Sequence, residues 1–294
     1  MSTSAAPLPA VRAALSGLID YAGLFPPAQL DMAAAVAEYG RARRSDAAWM
    51  LGRFIVPASR IGELRAAIPA SEASLALSVI LDADWDAEEL AAVQRSDAVM
   101  RVETLEIPLA EDEIASAAAA LQRSALAHVP VYAEWPRNAG WRADLDAVMQ
   151  SAGAAGLGAK IRCGGIVERA FPAAEDVAAF IFSAHKHGVR FKATAGLHHP
   201  LRHFNAPSGF TMHGFLNVLF AGVLAFGGAG LQTVGACVAD EEACDFQFDA
   251  QGLRWREASA TLAQIEGARQ SLFAGYGSCS FSEPVDDLRG LGLL

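Results

Sequence analysis

Residues 158–196, GAKIRCGGIVERAFPAAEDVAAFIFSAHKHGVRFKATAG, carry the reading of the fold. The stretch 158–163 alternates, with Ala159, Ile161 and Cys163 on one face and Lys160 and Arg162 on the other, as successive strand side chains must. After a glycine pair, 174–187 is alanine-rich with an apolar stripe at helical spacing. Residues 190–195 alternate again, Phe191, Ala193 and Ala195 against Lys192 and Thr194. Strand, helix and strand in that order imply parallel pairing through a right-handed crossover.

The same alternation recurs outward from this unit. Candidate strands fall at 18–24, 51–57, 74–81, 102–109, 129–135, 158–163, 190–195 and 278–281. Candidate helices fall at 30–44, 59–68, 86–95, 111–127, 143–154 and 174–187. This succession predicts an α/β fold, a closed (β/α)8 TIM barrel, rather than a doubly wound open sheet, which usually has fewer strands. The interval between the seventh and eighth strands is far longer than one crossover. It predicts helices at 213–226 and 231–239, a β-hairpin at 246–256, and a last helix at 258–273 before the eighth strand. A short closing helix is expected at 283–291. The chain therefore reads as one barrel domain, 1–294, with a helical and β-hairpin insertion at about 227–257, between strands seven and eight.

Composition narrows the function classes. Apolar residues make up 53% and charged residues 19%, which suits a folded globular protein. The net charge of −10 argues against a nucleic-acid partner. Cys163, Cys237, Cys244 and Cys279 lack CxxC spacing, so neither a zinc ribbon nor a disulfide framework is expected. The longest apolar run, 214–231, is broken by Asn217 and several glycines, so it reads as a buried helix and no membrane partner is expected. No basic run precedes an apolar one near Met1, and a cytoplasmic protein without a signal peptide is expected.

Alternation sorts the strand residues into two sets. Leu105, Ile107, Val131, Ala133 and Trp135 face the helices; so, on this rule, do Cys279 and Phe281 in the last strand. Asp20, Arg53, Thr104, Glu106, Tyr132, Glu134, Lys160, Arg162, Lys192, Thr194, Ser278 and Ser280 face the axis. Unpaired buried charges cost several kcal/mol, so these groups must pair with one another or bind something. A structural ion network is one outcome. The other is chemistry at the C-terminal mouth. A lysine whose amine has lost its proton attacks carbonyls to form a Schiff base. Lys160 and Lys192 on adjacent strands offer a nucleophile and a neighbouring cation that lowers its pKa, opposed by the inward carboxylates. Glu106 or Glu134 would move protons. Arg162 and Arg53 would hold a carboxylate or phosphate of a small anionic substrate, with Asp20, Tyr132 and Thr194 beside it.

The loop 196–214 holds His198, His199, His203 and His213. His198 continues the inward alternation, so with Glu106, Glu134 and Asp20 it offers an alternative: a divalent-metal isomerase or hydrolase. The spacing matches no metal motif, and the primary expectation is no metal and no cofactor. His199 is a substrate-binding candidate, while His203 and His213 read as loop contacts or helix caps. Ser280 and Ser282, ahead of the closing helix, suggest an anion site. Gly164–Gly165 and Gly275–Gly277 permit close backbone approach to a ligand. DYAGLFPPA, 20–28, forms either a rigid lip over the mouth or ordinary loop packing.

AKIRCGG (159–165) and FKATAGLHH (191–199) resemble the sixth and seventh strands of class I aldolases of the deoxyribose-phosphate aldolase type. That resemblance implies a Schiff-base lysine at Lys160, a second lysine at Lys192 and a matching Gly196, and leaves Glu106 or Glu134 as the acidic proton-transfer residue. The hydroxyl-rich run that follows the first lysine in that family is replaced here by Ile161, Arg162 and Cys163. The chain also resembles uncharacterised bacterial barrel proteins that carry the DYAGLFPPA, FKATAGLHHP and GSCSFSEPVDDL segments. A class I aldolase or lyase is the leading expectation, with the metal enzyme and a non-catalytic small-ligand binding protein as alternatives.

Overall fold

The computed structural model describes residues 6–69, 74–82, 90–93 and 99–294. Along the chain run β1 (Ile19–Tyr21), β2 (Leu51–Pro57), β3 (Leu75–Ile80), β4 (Met100–Pro108), β5 (Val131–Glu134), β6 (Gly158–Arg162) and β7 (Phe191–Thr194). Then come β8 (His203–Asn205), β9 (Phe210–Met212), β10 (Phe246–Phe248), β11 (Gly252–Trp255), β12 (Ala258–Thr261) and β13 (Phe273–Ser278). β1 to β7 and β13 pair in parallel and close, β13 lying between β7 and β1. This is a (β/α)8 TIM barrel.

The helices between strands bury the expected outward faces. Met32–Arg43, Ile61–Ala67, Ile114–Gln122, Trp141–Ala154 and Ala174–Lys186 follow β1, β2, β4, β5 and β6; the helix expected at 86–95 lies largely outside the described residues. Leu105, Ile107, Val131, Ala133, Ala159 and Ile161 are buried. At an estimated 1.5–3 kcal/mol for each large apolar side chain removed from water, this layer is the main force closing the barrel. Asp31 accepts the Ala34 N–H at 2.8 Å and caps the first of these helices, worth about 1 kcal/mol.

The helix Phe215–Phe226 is apolar all round, and its residues Phe215–Ala225 are buried. Its outer side is covered by the helix Leu231–Ala239 and the antiparallel β10–β11–β12 sheet, where Phe220 meets Phe246 and Phe248 edge-on at 5.2 and 5.1 Å. Asn217, the one polar side chain in this helix, is fully engaged. It accepts the Arg202 N–H at 2.8 Å and donates to the Cys237 and Asp240 carbonyls at 2.9 and 2.7 Å. Among the described residues, no helix is long and apolar enough to cross a membrane.

Several boundaries differ from the sequence reading. A helix Pro9–Leu15, started by proline, was not anticipated. The expected helix 258–273 divides into β12, which adds a third strand to the hairpin, and the helix Leu262–Ser271, started by a Thr261–Gln264 capping box. The eighth barrel strand is Phe273–Ser278, not 278–281. Its glycines were expected to let a ligand approach the backbone, but Gly275 lies flat against the chain at the start of the first strand, where any Cβ would sit 2.5 Å from the Leu18 carbonyl oxygen. The close approach is to the protein's own backbone. A similar contact joins Gly164 to Gly196, where φ is +69°, locking the loops after β6 and β7 together. Loop 196–214 also contains the β8–β9 hairpin, absent from the sequence reading.

Candidate active site

Six charged side chains from five barrel strands form one alternating chain across the axis. Asp20 Oδ2 lies 2.6 Å from Lys192 Nζ, which lies 2.5 Å from Glu106 Oε1. The other oxygen of Glu106 lies 2.6 Å from Lys160 Nζ, which lies 2.8 Å from Glu134 Oε2. Glu134 Oε1 then meets Arg162 Nε at 2.9 Å. Three anions and three cations cancel, which is how the interior tolerates them. Hydroxyls saturate the deep end: Thr104 donates to Ser78 Oγ at 2.7 Å, and Ser78 donates to Glu106 at 2.6 Å. Lys192 also donates to Ser78 at 3.1 Å and lies 5.7 Å from the centre of the Tyr132 ring. Ser78 escaped the sequence reading; its only signal was a lone hydroxyl in LALSVI.

The charge balance that the sequence left open resolves toward two ammonium groups. Burial alone would lower the Lys160 pKa, but Glu106 and Glu134 outweigh it and hold the amine above the ordinary lysine value. Burial is likewise outweighed at Lys192 by Asp20 and Glu106, which also raise it. Neither amine has the depressed pKa that two adjacent lysines suggested, because a carboxylate lies between them. Glu106 responds in the opposite sense. Burial would raise it, but Lys160 and Lys192 hold it well below the usual carboxylate range. Glu134 is lowered in the same way, against burial, by Lys160 and Arg162.

The two lysines differ in access. Lys160 and Glu106 line a cavity of about 460 Å3 at the C-terminal mouth; Lys192 does not. Thr194, His198 and Arg162 also line it, as do Phe25, Pro26 and Pro27 of the 20–28 segment, which thus forms a wall of the mouth. Cys279 faces this cavity and not the helices, because the strand ends one residue before it. Ser208 and Met212 reach it from the unanticipated hairpin. A second cavity of about 290 Å3 opens on the other side of the Glu134–Arg162 pair, and Lys160 borders both.

Other candidates lie apart. Arg53 turns toward Asp20 at 3.7 Å and Glu103 at 3.2 Å, its backbone N–H donates to Asp20 at 2.7 Å, and it lines neither cavity. Tyr132 is buried beneath Lys192. His199 pairs with Asp287 at 2.7 Å, outside the mouth cavity. His203 contacts the Leu201 carbonyl at 2.9 Å, and buried His213 contacts the Pro172 carbonyl at 2.8 Å. Ser280 accepts the Glu283 N–H at 3.2 Å and lies 3.3 Å from Ser282. With Glu283 in the first turn of the helix Ser282–Gly290, the proposed anion site already carries a negative charge.

His198 Nδ1 lies 3.7 Å from Cys279 Sγ and 3.6 Å from Glu283. Burial keeps the imidazole pKa low, against the opposing pull of Glu283. Burial also raises the Cys279 thiol, so both groups are neutral near pH 7. Glu106 and Glu134 are occupied by the lysines. Among the described residues, no group of three His, Cys, Asp or Glu side chains is arranged to hold a metal ion. The sequence matches no protein-family model and no curated protein, which leaves the geometry of the site as the ground for its chemistry.

Proposed function

We propose that the protein is an enzyme of the class I aldolase or lyase type, in which Lys160 forms a Schiff base with a carbonyl compound at the mouth of the barrel. The observation that carries this reading is the position of Lys160, a buried amine at a cavity floor between two carboxylates. Lys192 lacks that access and acts through Glu106, holding it ionised and in place.

The amine must first lose a proton. Glu134 Oε2 is 2.8 Å away and is the acceptor nearer solvent. A substrate carboxylate that recruits Arg162 draws a cation away from Glu134, and the proton affinity of Glu134 rises. The proton moves from Nζ to Glu134, and the freed electron pair attacks the carbonyl carbon. Glu134 returns that proton to the oxygen, forming a hydroxyl, then takes a second proton from the nitrogen and passes it to the hydroxyl, which departs as water and leaves an iminium with one N–H. In a β-hydroxy carbonyl substrate the hydroxyl gives its proton to a base, and neutral His198 is available at the mouth. The adjacent carbon–carbon bond breaks, its electrons passing to the iminium. One carbonyl fragment leaves, the resulting enamine takes a proton at carbon, and water hydrolyses the imine to restore Lys160.

Borohydride added with a panel of aldehydes and keto acids tests this, read by peptide mass spectrometry. The expected product is a secondary amine on Lys160, absent in Lys160→Met. Labelling confined to Lys192, or carbonyl turnover without trapping and with activity retained in Lys160→Met, overturns the proposal.

A further inference from the structure

The two cavities that Lys160 borders differ in character. The larger is walled by Phe25, Pro27, Ile55, Ile80, Phe171 and Met212. Its apolar lining continues to the rim, where Ile166 is 86% exposed. At about 460 Å3 the space falls in the range that encloses drug-sized ligands, well beyond a three-carbon aldehyde.

The smaller cavity is the more cationic: Lys160 and Arg162 border both, and Arg137 and Arg169 line it alone. Arg137, Arg162 and Arg169 line it, against the single carboxylate of Glu134. Arg137 is braced by the Arg169 carbonyl at 2.5 Å and by Asp176 at 3.7 Å. The His198 side of the mouth disfavours anions, because Glu283 stands 3.6 Å behind that imidazole. An anionic head group therefore has one favourable direction from Lys160, and an apolar body has the other.

We infer that the substrate is amphipathic: a carbonyl compound whose chain or ring of about six to ten carbons fills the larger cavity, with its anionic head directed to the arginines of the smaller. This rests on the Schiff-base reading for the carbonyl alone; the division of the two cavities stands without it.

The test uses ligands that cannot form an imine. Butanoate, hexanoate and octanoate are titrated by calorimetry into the wild-type protein, with octanamide as the uncharged comparison. Each buried methylene is expected to tighten binding by up to about fourfold. Met212→Asp, on the partly exposed hairpin, should flatten that gain. Octanamide should bind more weakly than octanoate by about tenfold or more, and Arg169→Ala should narrow the difference. An affinity that does not rise with chain length overturns the apolar assignment, as does tighter binding of glycerol 3-phosphate than of octanoate. Equal binding of octanamide and octanoate overturns the anionic one. Chain-length dependence without borohydride trapping would sink the Schiff-base reading and leave this one standing; trapping confined to short polar aldehydes would do the reverse.

Discussion

Replacing Lys192 with methionine removes the cation from between Asp20 and Glu106 while keeping most of the side-chain volume. Asp20 would retain only the Arg53 backbone N–H at 2.7 Å and the guanidinium at 3.7 Å. Glu106 would retain Lys160 and Ser78. Removing one partner of a buried ion pair costs about 3–5 kcal/mol, because a desolvated charge is left behind. That corresponds to a fall in Tm of about 6–20 °C. The loss should depend on pH in a definite direction. Glu106 is held low in the folded protein, so its stabilising contribution is present above its unfolded pKa, about 4.3, and fades as pH falls toward its folded value. The raised lysines contribute fully below about 10.4 and lose their contribution as pH rises through their folded values. The gap between wild type and Lys192→Met, measured by urea unfolding, should therefore be widest from about pH 6 to 8 and narrow as pH falls from about 4 toward 2. Asp20→Asn combined with Lys192→Met should cost about 1–3 kcal/mol less than the two changes summed. A loss under about 1 kcal/mol, or a gap that does not narrow between about pH 7 and pH 2, would refute the view that Lys192 neutralises these carboxylates.

Glu134→Gln removes the proton acceptor but leaves Lys160 paired with Glu106, so the rate of borohydride trapping should fall about 10²–10⁴-fold while octanoate, with Arg162 released from its carboxylate partner, binds at least as tightly as to the wild type. Burial pushes the His213 pKa down to about 4, so wild-type stability should fall by about 3 kcal/mol as pH drops from 6.5 to 4. His213→Asn, followed by denaturant titration across that range, should flatten the dependence. Gly275→Ala puts a methyl group 2.5 Å from the Leu18 carbonyl oxygen and should cost about 1–3 kcal/mol, seen as a lower urea midpoint; an unchanged midpoint would refute the β1–β13 contact.

Local alternation determined the barrel and much of its polar interior. Periods of two and 3.6 are written into consecutive residues, so β2 falls at Leu51–Pro57 as expected and Glu106, Glu134, Lys160 and Lys192 fall on the axial side. A slip of one residue would have turned Ile161 and Ala193 into the axis, and burying apolar area against the helices forbids it. The eighth strand begins earlier than expected because glycine has the same signature where a ligand approaches the backbone as in a strand pressed against another part of the chain; only the position of Leu18 distinguishes them. The protonation of the two lysines was beyond the sequence for a similar reason. Charge interactions depend on separations of a few ångströms, and the separations that matter here are set between β1, β4, β6 and β7. Sequence placed two amines on neighbouring strands, which favours losing a proton. The tertiary structure put Glu106 between them, which favours keeping it, and left Lys160 alone of the two at the cavity floor.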